Sequence, residues 1–184
     1  MITSLFVLGG ARSGKSRFAL AQHQGQRRVA FLATGEASDA DMAARIARHR
    51  AERPARWRTL EEPLDVVARL REVAPAVDGV VVDCLTLWVA NLLRRGDGEA
   101  DIVKSADTLA ATIAQRLTTL TLVSNEVGLG VHPASAEGRQ FRDLLGLVNQ
   151  RVAAACDRVV FLVAGLPVVV KDLRSPLDDV IDAP

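Results

Sequence analysis

The chain has 184 residues, 49% of them hydrophobic and 24% charged, and it contains two cysteines. A chain of this length can bury a core without disulfides or metal ions, so we expect a single domain over residues 1–184, with an acidic, proline-containing end at 175–184 that frays. Its 23 Lys and Arg and 22 Asp and Glu give a formal net charge of +1, which excludes the broad basic surface of a nucleic-acid-binding or membrane-surface protein. No run approaches the roughly 20 apolar residues of a membrane span. The isolated Cys84 and Cys156 predict reduced core thiols, so we expect a cytoplasmic protein.

Short β-branched and aliphatic runs alternate with segments of helical apolar spacing along the chain. The first run, 2–8, directly precedes a glycine-rich segment, which indicates a strand rather than a signal peptide. The charged, glycine-bearing stretch 94–101 predicts a surface loop. The alternation predicts an α/β fold with a mainly parallel central sheet and helices on both faces. The other predicted strands are 28–33, 80–83, 120–124, 159–163 and 166–171, and the predicted helices are 17–24, 39–50, 63–73, 86–93, 102–117 and 137–155.

A phosphate-binding motif follows the first predicted strand and opens the first predicted helix. Its pattern is G-x-x-x-x-G-K-S, in which glycines let successive backbone N–H groups turn toward an anion. Lys15 is expected to reach the β and γ phosphates of a nucleotide, and Ser16 to bind Mg²⁺. The motif therefore predicts nucleotide binding by Gly9, Gly10, Ala11, Arg12, Ser13, Gly14, Lys15 and Ser16.

Asp83 ends a second apolar strand and is the predicted carboxylate partner of Ser16 at the metal. The alternative is that Asp83 only caps the helix that follows it. Hydrolytic P-loop ATPases often carry Glu after this Asp, whereas here the next residue is Cys84. The sequence therefore favours transfer to a bound acceptor over simple hydrolysis.

His49 lies near the end of the second predicted helix, beside Arg50 and Arg53. A neutral imidazole can attack phosphorus, and nearby guanidinium groups can neutralise phosphoryl charge. The alternative is a surface histidine favoured by the helix C-terminus. His23, on the helix after the phosphate-binding motif, is predicted to be exposed, and His132 to lie in a solvated loop.

Asn125 and Glu126 follow another strand, at the sheet edge where α/β proteins bind ligands. Two interpretations of this pair remain open: the side chains contact an acceptor substrate, or they only cap the turn in which they lie. The stretch 125–133 contains two glycines, Gly128 and Gly130, and predicts a mobile element. Trp57 and Trp88 are predicted to be core or interface residues rather than site residues.

Several motifs together resemble one family over most of the chain, from Leu8 to about Lys171. They are GGARSGKS, ATGEASDADMAARIARHRAERPARWRTLEEP, VVVDCLTLWVANLL, SNEVGLGVHP and RQFRDLLGLVNQRVAAACDRVVFLVAGLP. The resemblance is to the bifunctional adenosylcobinamide kinases/adenosylcobinamide-phosphate guanylyltransferases of cobalamin biosynthesis. It implies a RecA-like P-loop fold, a homotrimer, and ATP, GTP and Mg²⁺ as cofactors.

Two reactions follow from this resemblance. A nucleotide first phosphorylates adenosylcobinamide; a histidine then takes GMP from GTP and passes it to adenosylcobinamide-phosphate, giving adenosylcobinamide-GDP. The matching histidine is His49, and because Arg48 stands where some relatives carry another histidine, one imidazole is available here. The resemblance further implies nucleotide or metal contacts at Ala33, Thr34, Gly35, Arg50, Ala51, Glu52, Arg53, Glu61 and Asp83, in addition to the phosphate-binding motif.

Two other functions fit part of the sequence. The motif and Asp83 alone would also suit a small-molecule kinase without guanylyl transfer, in which His49 is dispensable. A RecA-like nucleotide switch would instead carry a hydrolytic carboxylate beside Asp83 or a basic DNA-facing surface, and the sequence offers neither.

Overall fold

A seven-stranded sheet lies at the centre of the computed structural model, which describes residues 3–37, 40–51 and 53–173. The strand order is β3-β2-β4-β5-β1-β6-β7, and every neighbouring pair is parallel except β6 and β7. The strands are β1 (Ser4–Gly9), β2 (Val29–Ala33), β3 (Arg58–Glu61), β4 (Gly79–Asp83), β5 (Thr119–Val123), β6 (Arg158–Val163) and β7 (Leu166–Asp172).

Helices cover both faces of this sheet. Side chains alternate along each strand, so Phe6 of β1 packs in one apolar cluster with α3 to α6, whereas Leu5 and Val7 pack in a second with α1 and Trp57. Burial on both faces explains why the inner strands are continuous apolar runs. The helices are α1 (Lys15–Ala21), α2 (Ala40–Ala51), α3 (Val66–Val73), α4 (Leu85–Arg95), α5 (Glu99–Ala114) and α6 (Ala136–Ala155), with a 3₁₀ turn at Ala74–Ala76.

The predicted α/β architecture is confirmed: the sheet is mainly parallel, helices cover both faces, and β1 leads through the phosphate-binding motif into α1. None of the helices within the described residues has the length and apolarity to cross a membrane. Trp57 and Trp88 are both buried, as core residues should be. The predicted frayed end, 175–184, lies outside the described residues.

Two local predictions differ from the structure. The loop predicted at 94–101 exists but has wrong bounds: it covers only residues 96–98, because α4 continues to Arg95 and α5 begins at Glu99. The connection is short because Gly96 ends α4 in the left-handed conformation, with φ 98°. Strand β3 was not predicted, because four residues at a sheet edge with partly exposed side chains give little apolar signal.

His23 was predicted to be exposed, and this is wrong: its side chain is fully buried. Its Nδ1 lies 2.7 Å from Oε1 of Gln26, and its Nε2 lies 2.8 Å from Oγ1 of Thr121 on β5. The ring also meets Trp57 edge to face, with 6.3 Å between centroids. A neutral imidazole has one N–H donor and one acceptor lone pair, which is enough to hydrogen-bond both polar partners. The neutral ring therefore fits this buried position, where it ties the end of α1 to the sheet.

Burial lowers the pKa of His23 from its ordinary value of 6.5, and the hydrogen bond with Gln26 opposes this only in part. The unfolded chain therefore takes up the proton more readily. We expect the free energy of unfolding to be greatest above pH 6.5 and to fall as the pH drops from there toward the lowered pKa.

His23→Ala should lower the free energy of unfolding by about 2–4 kcal/mol at neutral pH and remove this component of the pH dependence. Urea unfolding of both proteins from pH 5 to pH 8 measures the two effects. His132→Ala, which alters an exposed histidine, should change stability by less than about 0.5 kcal/mol. Parallel pH curves for wild type and His23→Ala would contradict the prediction.

Candidate active site

The phosphate-binding motif forms a loop between β1 and α1. Gly14 precedes the helix with φ 94°, and Arg12 also has a positive φ of 57°. Lys15 is buried, and its Nζ donates a 2.5 Å hydrogen bond to the carbonyl oxygen of Gly10. The cation is therefore held at the loop, in the position where a P-loop lysine meets nucleotide phosphates.

The turn between β6 and β7 packs directly against this loop. The N–H of Gly165 donates to the carbonyl of Ser13 at 3.1 Å. At Gly9, where φ is 150°, a Cβ would lie 2.6 Å from the carbonyl oxygen of Leu162 and 2.7 Å from Oγ of Ser13. A side chain at Gly9 would therefore displace the loop from β6, which gives the first glycine of the motif a packing reason.

Strand register places the acidic residues at the carboxyl edge of the sheet. Ala33 of β2 pairs with Glu61 on one side and with Asp83 on the other, and Asp83 in turn pairs with Val123. Val123 also pairs with Val7, just before the phosphate-binding loop. A single row across the sheet thus brings Glu61, Ala33 and Asp83 to the edge where the nucleotide motif lies.

Thr34 holds the turn after Asp83. Its hydroxyl donates to the carbonyl of Cys84 at 2.7 Å and accepts from the N–H of Cys84 at 2.8 Å. The carbonyl of Thr34 accepts from Nδ2 of Asn91, which also donates to Pro63. The Thr34 side chain is therefore engaged with the protein backbone, where it holds the residue that follows Asp83. Burial raises the pKa of the Cys84 thiol to about 11, so this group stays neutral at pH 7.

His49 lies in the last turn of α2 and is partly buried. The side chains of Arg50 and Glu61 are exposed, and Nη1 of Arg50 lies 3.8 Å from Oε1 of Glu61. Because an exposed ion pair at this distance is weak, both groups are available to a ligand. Arg53 is more firmly placed: its guanidinium carbon lies 3.6 Å above the Phe31 ring, and its Nη1 donates to Thr59 at 3.3 Å. The end of α2 and the following segment thus carry positive charge to the edge of the sheet.

Two cavities meet at His49. The larger, about 520 Å³, we call the P-loop cavity, and the smaller, about 150 Å³, the sheet-edge cavity. Both are lined by Ser16 and His49. The P-loop cavity is otherwise lined by Ala11, Arg12, Ser13, Gly14, Lys15, Arg17, Ala44 and Arg48. The sheet-edge cavity is otherwise lined by Ala33, Gly35, Ile46, Arg50, Arg53, Thr59, Glu61, Asp83, Cys84, Leu87 and Asn125.

The charges of the two cavities differ. Four cationic side chains and no carboxylate line the P-loop cavity as the described residues define it, which suits a polyphosphate. The sheet-edge cavity combines Glu61 and Asp83 with arginines and apolar side chains. It suits a ligand that carries both an apolar group and a polar or phosphorylated group.

Most of the predicted site residues gather around these two cavities. Gly9 and Gly10 shape the loop, Ala51 lies at the end of α2, and Glu52 lies outside the described residues. Sequence reasoning did not select Ala44 and Arg48, although their spacing of four residues would place them on one helical face. It also did not select five further lining residues that have no motif of their own: Arg17, Ile46, Thr59, Cys84 and Leu87.

Ser16 and Asp83 offer a hydroxyl and a carboxylate to the same cavity. Mg²⁺ is commonly bound through one or two such oxygens together with substrate phosphates and water. No group of three or more His, Cys, Asp or Glu side chains within the described ranges is arranged to hold a metal unaided. The residues present therefore fit a cation that arrives with a nucleotide.

Comparison with known proteins agrees with this geometry. Residues 5–170 match the family described as cobinamide kinase / cobinamide phosphate guanyltransferase. The bifunctional adenosylcobalamin biosynthesis protein CobP of Pseudomonas aeruginosa is 48% identical over 172 residues, which cover 90% of this chain and 95% of the relative. The CobU proteins of Salmonella typhimurium and Escherichia coli are 40% and 37% identical, and each alignment covers 91% of this chain and 99% of the relative.

Two solved structures of low sequence identity align with most of this chain. An ATPase from a type III secretion system aligns with 88% of this chain and 51% of its own, at a TM-score of 0.48 and 10% identity. The RadB recombinase aligns with 86% of this chain and 73% of its own, at a TM-score of 0.44 and 17% identity. Because residues 5–170 match the family model and the three relatives are 37–48% identical to this chain, the chain belongs to the cobinamide kinase / cobinamide phosphate guanyltransferase family of bifunctional enzymes.

Proposed function

We propose that this protein phosphorylates adenosylcobinamide with ATP or GTP and then transfers GMP from GTP to adenosylcobinamide-phosphate, through a covalent intermediate on His49. The product is adenosylcobinamide-GDP. The observation that carries the proposal is that His49 lines both the cationic P-loop cavity and the sheet-edge cavity. Its imidazole is thus next to the place where a nucleotide's phosphates would meet the rest of the ligand.

In the kinase step, the hydroxyl oxygen of the acceptor bonds to the terminal phosphorus of the nucleotide. The bond from that phosphorus to the bridging oxygen breaks, its electron pair leaves with the nucleoside diphosphate, and the hydroxyl proton goes to solvent. Lys15 and the loop N–H groups bind the phosphates and neutralise their charge. Ser16 and Asp83 would hold Mg²⁺, which supplies further charge neutralisation when bound.

In the guanylyl step, a ring nitrogen of His49 bonds to the α-phosphorus of GTP, and the bond to the α,β-bridging oxygen breaks to release pyrophosphate. A phosphate oxygen of adenosylcobinamide-phosphate then bonds to the same phosphorus, and the imidazole leaves. Arg12, Arg17 and Arg48 line the P-loop cavity, where they would bind the departing pyrophosphate. Glu61, Arg50 and Arg53 line the sheet-edge cavity, from which they would contact the GMP part.

The assembly is proposed to be a homotrimer of a cytoplasmic protein. Edge strand β7 supports contact between copies, because its apolar side chains are solvent-exposed in the single chain: Leu166 by 70%, Val168 by 52%, Val169 by 50% and Val170 by 64%. An apolar edge strand of this kind pairs or is covered in a stable protein. Light scattering would give the molar mass of the assembly, and a mass of one chain would contradict the trimer.

The two-step function is tested by incubating the protein with Mg²⁺ and GTP that is labelled at either the α- or the γ-phosphate. After denaturation we expect acid-labile protein-bound label from the α-position alone, and its transfer to product when adenosylcobinamide-phosphate is added before denaturation. If adenosylcobinamide is phosphorylated but no α-label binds to the protein, the enzyme is a kinase without guanylyl transfer. If the protein showed neither activity, the proposal would be refuted.

A further inference from the structure

Asn125 lies at the carboxyl edge of the sheet and lines the sheet-edge cavity. Strand β5 lies between β1 and β4, and its Val123 pairs with Val7 on one side and Asp83 on the other. Asn125 is two residues farther along, at the carboxyl edge. It lines the sheet-edge cavity together with Ser16 and Asp83, the two side chains that fit the metal.

The backbone of Asn125 is held by two buried side chains from different helices. Its N–H donates to Oγ1 of Thr86 at 2.7 Å, and its carbonyl accepts from Nδ2 of Asn149 at 3.1 Å. Thr86 belongs to α4 and Asn149 to α6. The next residue, Glu126, donates its N–H to the carbonyl of Gly9 at 3.2 Å, which ties this turn to the start of the phosphate-binding loop. The backbone of Asn125 is therefore held in place when the protein folds, at the edge of the sheet-edge cavity.

The side chains of Asn125 and Glu126 differ in their hydrogen bonds. The carboxylate of Glu126 accepts the N–H of Gly128 at 2.7 Å, so it caps its own turn. The carboxamide of Asn125 makes no hydrogen bond to any residue that the structure describes. Of the two interpretations left open by the sequence, Glu126 therefore follows the capped turn, and Asn125 has a polar group available to a ligand.

We infer that Asn125 is a catalytic residue of the phosphoryl transfer and that Thr86 and Asn149 are its positioning residues. This inference rests on the proposed kinase function. The Asn125 carboxamide donates a hydrogen bond to a non-bridging oxygen of the terminal phosphoryl group as that group passes from the nucleotide to the acceptor hydroxyl. A neutral donor stabilises the spread negative charge of the transferring group without itself gaining or losing a proton.

The first test compares Asn125→Ala with wild type in both reactions. We expect the kcat of adenosylcobinamide phosphorylation to fall about 10²-fold, in the range found when one preorganised donor is removed, with the KM for ATP changed less than about threefold. The α-label bound to His49 should change less than about threefold, because that step occurs at a different phosphorus. Gln140→Ala, which removes an exposed amide from α6, should leave both reactions unchanged.

The second test uses Thr86→Val, which keeps the side-chain shape and removes the oxygen that accepts from Asn125. In the wild-type background we expect kcat to fall about tenfold through misplaced geometry. In the Asn125→Ala background the same change should have little further effect, because the group that it positions is already gone. A merely structural Thr86 would lower activity by the same factor in both backgrounds.

The possible outcomes separate this inference from the function on which it rests. A wild-type protein without kinase turnover would overturn both. Active wild type with an Asn125→Ala kcat within twofold would overturn the role of Asn125 alone. Equal losses of phosphorylation and of bound α-label in Asn125→Ala would also overturn it, because they would indicate general support of the site.

Discussion

His49→Ala is expected to abolish protein-bound GMP and to lower guanylyl transfer by at least about 10³-fold, while phosphorylation of adenosylcobinamide continues at a rate within a few-fold of wild type. The physical reason is that neither of the other two histidines in the sequence is placed to supply the nucleophile. His23 has both ring nitrogens engaged with Gln26 and Thr121 inside the protein. His132 lies exposed in the loop beyond β5, where its Nδ1 contacts Arg142 at 2.7 Å.

The measurement is the acid-labile label from α-labelled GTP, together with the two rates assayed separately on one preparation. His132→Ala is the matched control, since it removes an imidazole outside both cavities and should leave label and rates unchanged. Substantial label on His49→Ala, mapped by peptide analysis to another residue, would contradict the assignment. A parallel loss of kinase activity would mean that His49 also shapes the site that both reactions share.

The phosphate-binding loop and the inner strands were predictable because their signals are local. A glycine-rich turn followed by Lys15 and Ser16 has few structural solutions, and strands buried on both faces are continuous apolar runs. Edge strands carry weaker signals, which is why β3 was missed. The end of α4 depended on whether Gly96 began a long loop or merely ended a helix, and both are common uses of glycine.

Burial of polar residues could not be predicted because their partners are distant in sequence. His23 stands among polar neighbours on the helix after the loop, and the contact that explains its burial is with Thr121, 98 residues away. Thr34 and Asn91 together fix the turn after Asp83, and this too is a property of the assembled sheet. The same holds for Asn125 and Glu126, which are adjacent in sequence: the fold offers the Gly128 N–H to Glu126 and places Asn125 at the sheet-edge cavity.

Lys15→Ala is expected to reduce both reactions by on the order of 10³-fold, in contrast to the selective effect of His49→Ala. Both steps bring nucleotide phosphates to the P-loop cavity, and Lys15 is the buried cation of that cavity. Lys15→Arg should also be strongly impaired, because a planar guanidinium cannot occupy the space of a compact ammonium in contact with the Gly10 carbonyl. Each rate should be measured at saturating nucleotide, and nucleotide affinity by the thermal shift that added GTP produces.

The control is Lys104→Ala, which removes an exposed cation from α5 and should leave both rates and the thermal shift unchanged. Loss of Lys15 also removes its hydrogen bond to Gly10, so the unfolding temperature without nucleotide must be compared first. If Lys15→Ala folds normally but loses only the kinase reaction, the guanylyl step must bind its triphosphate elsewhere. His49 would then receive GTP from the sheet-edge cavity, and the shared use of the P-loop cavity by both reactions would be wrong.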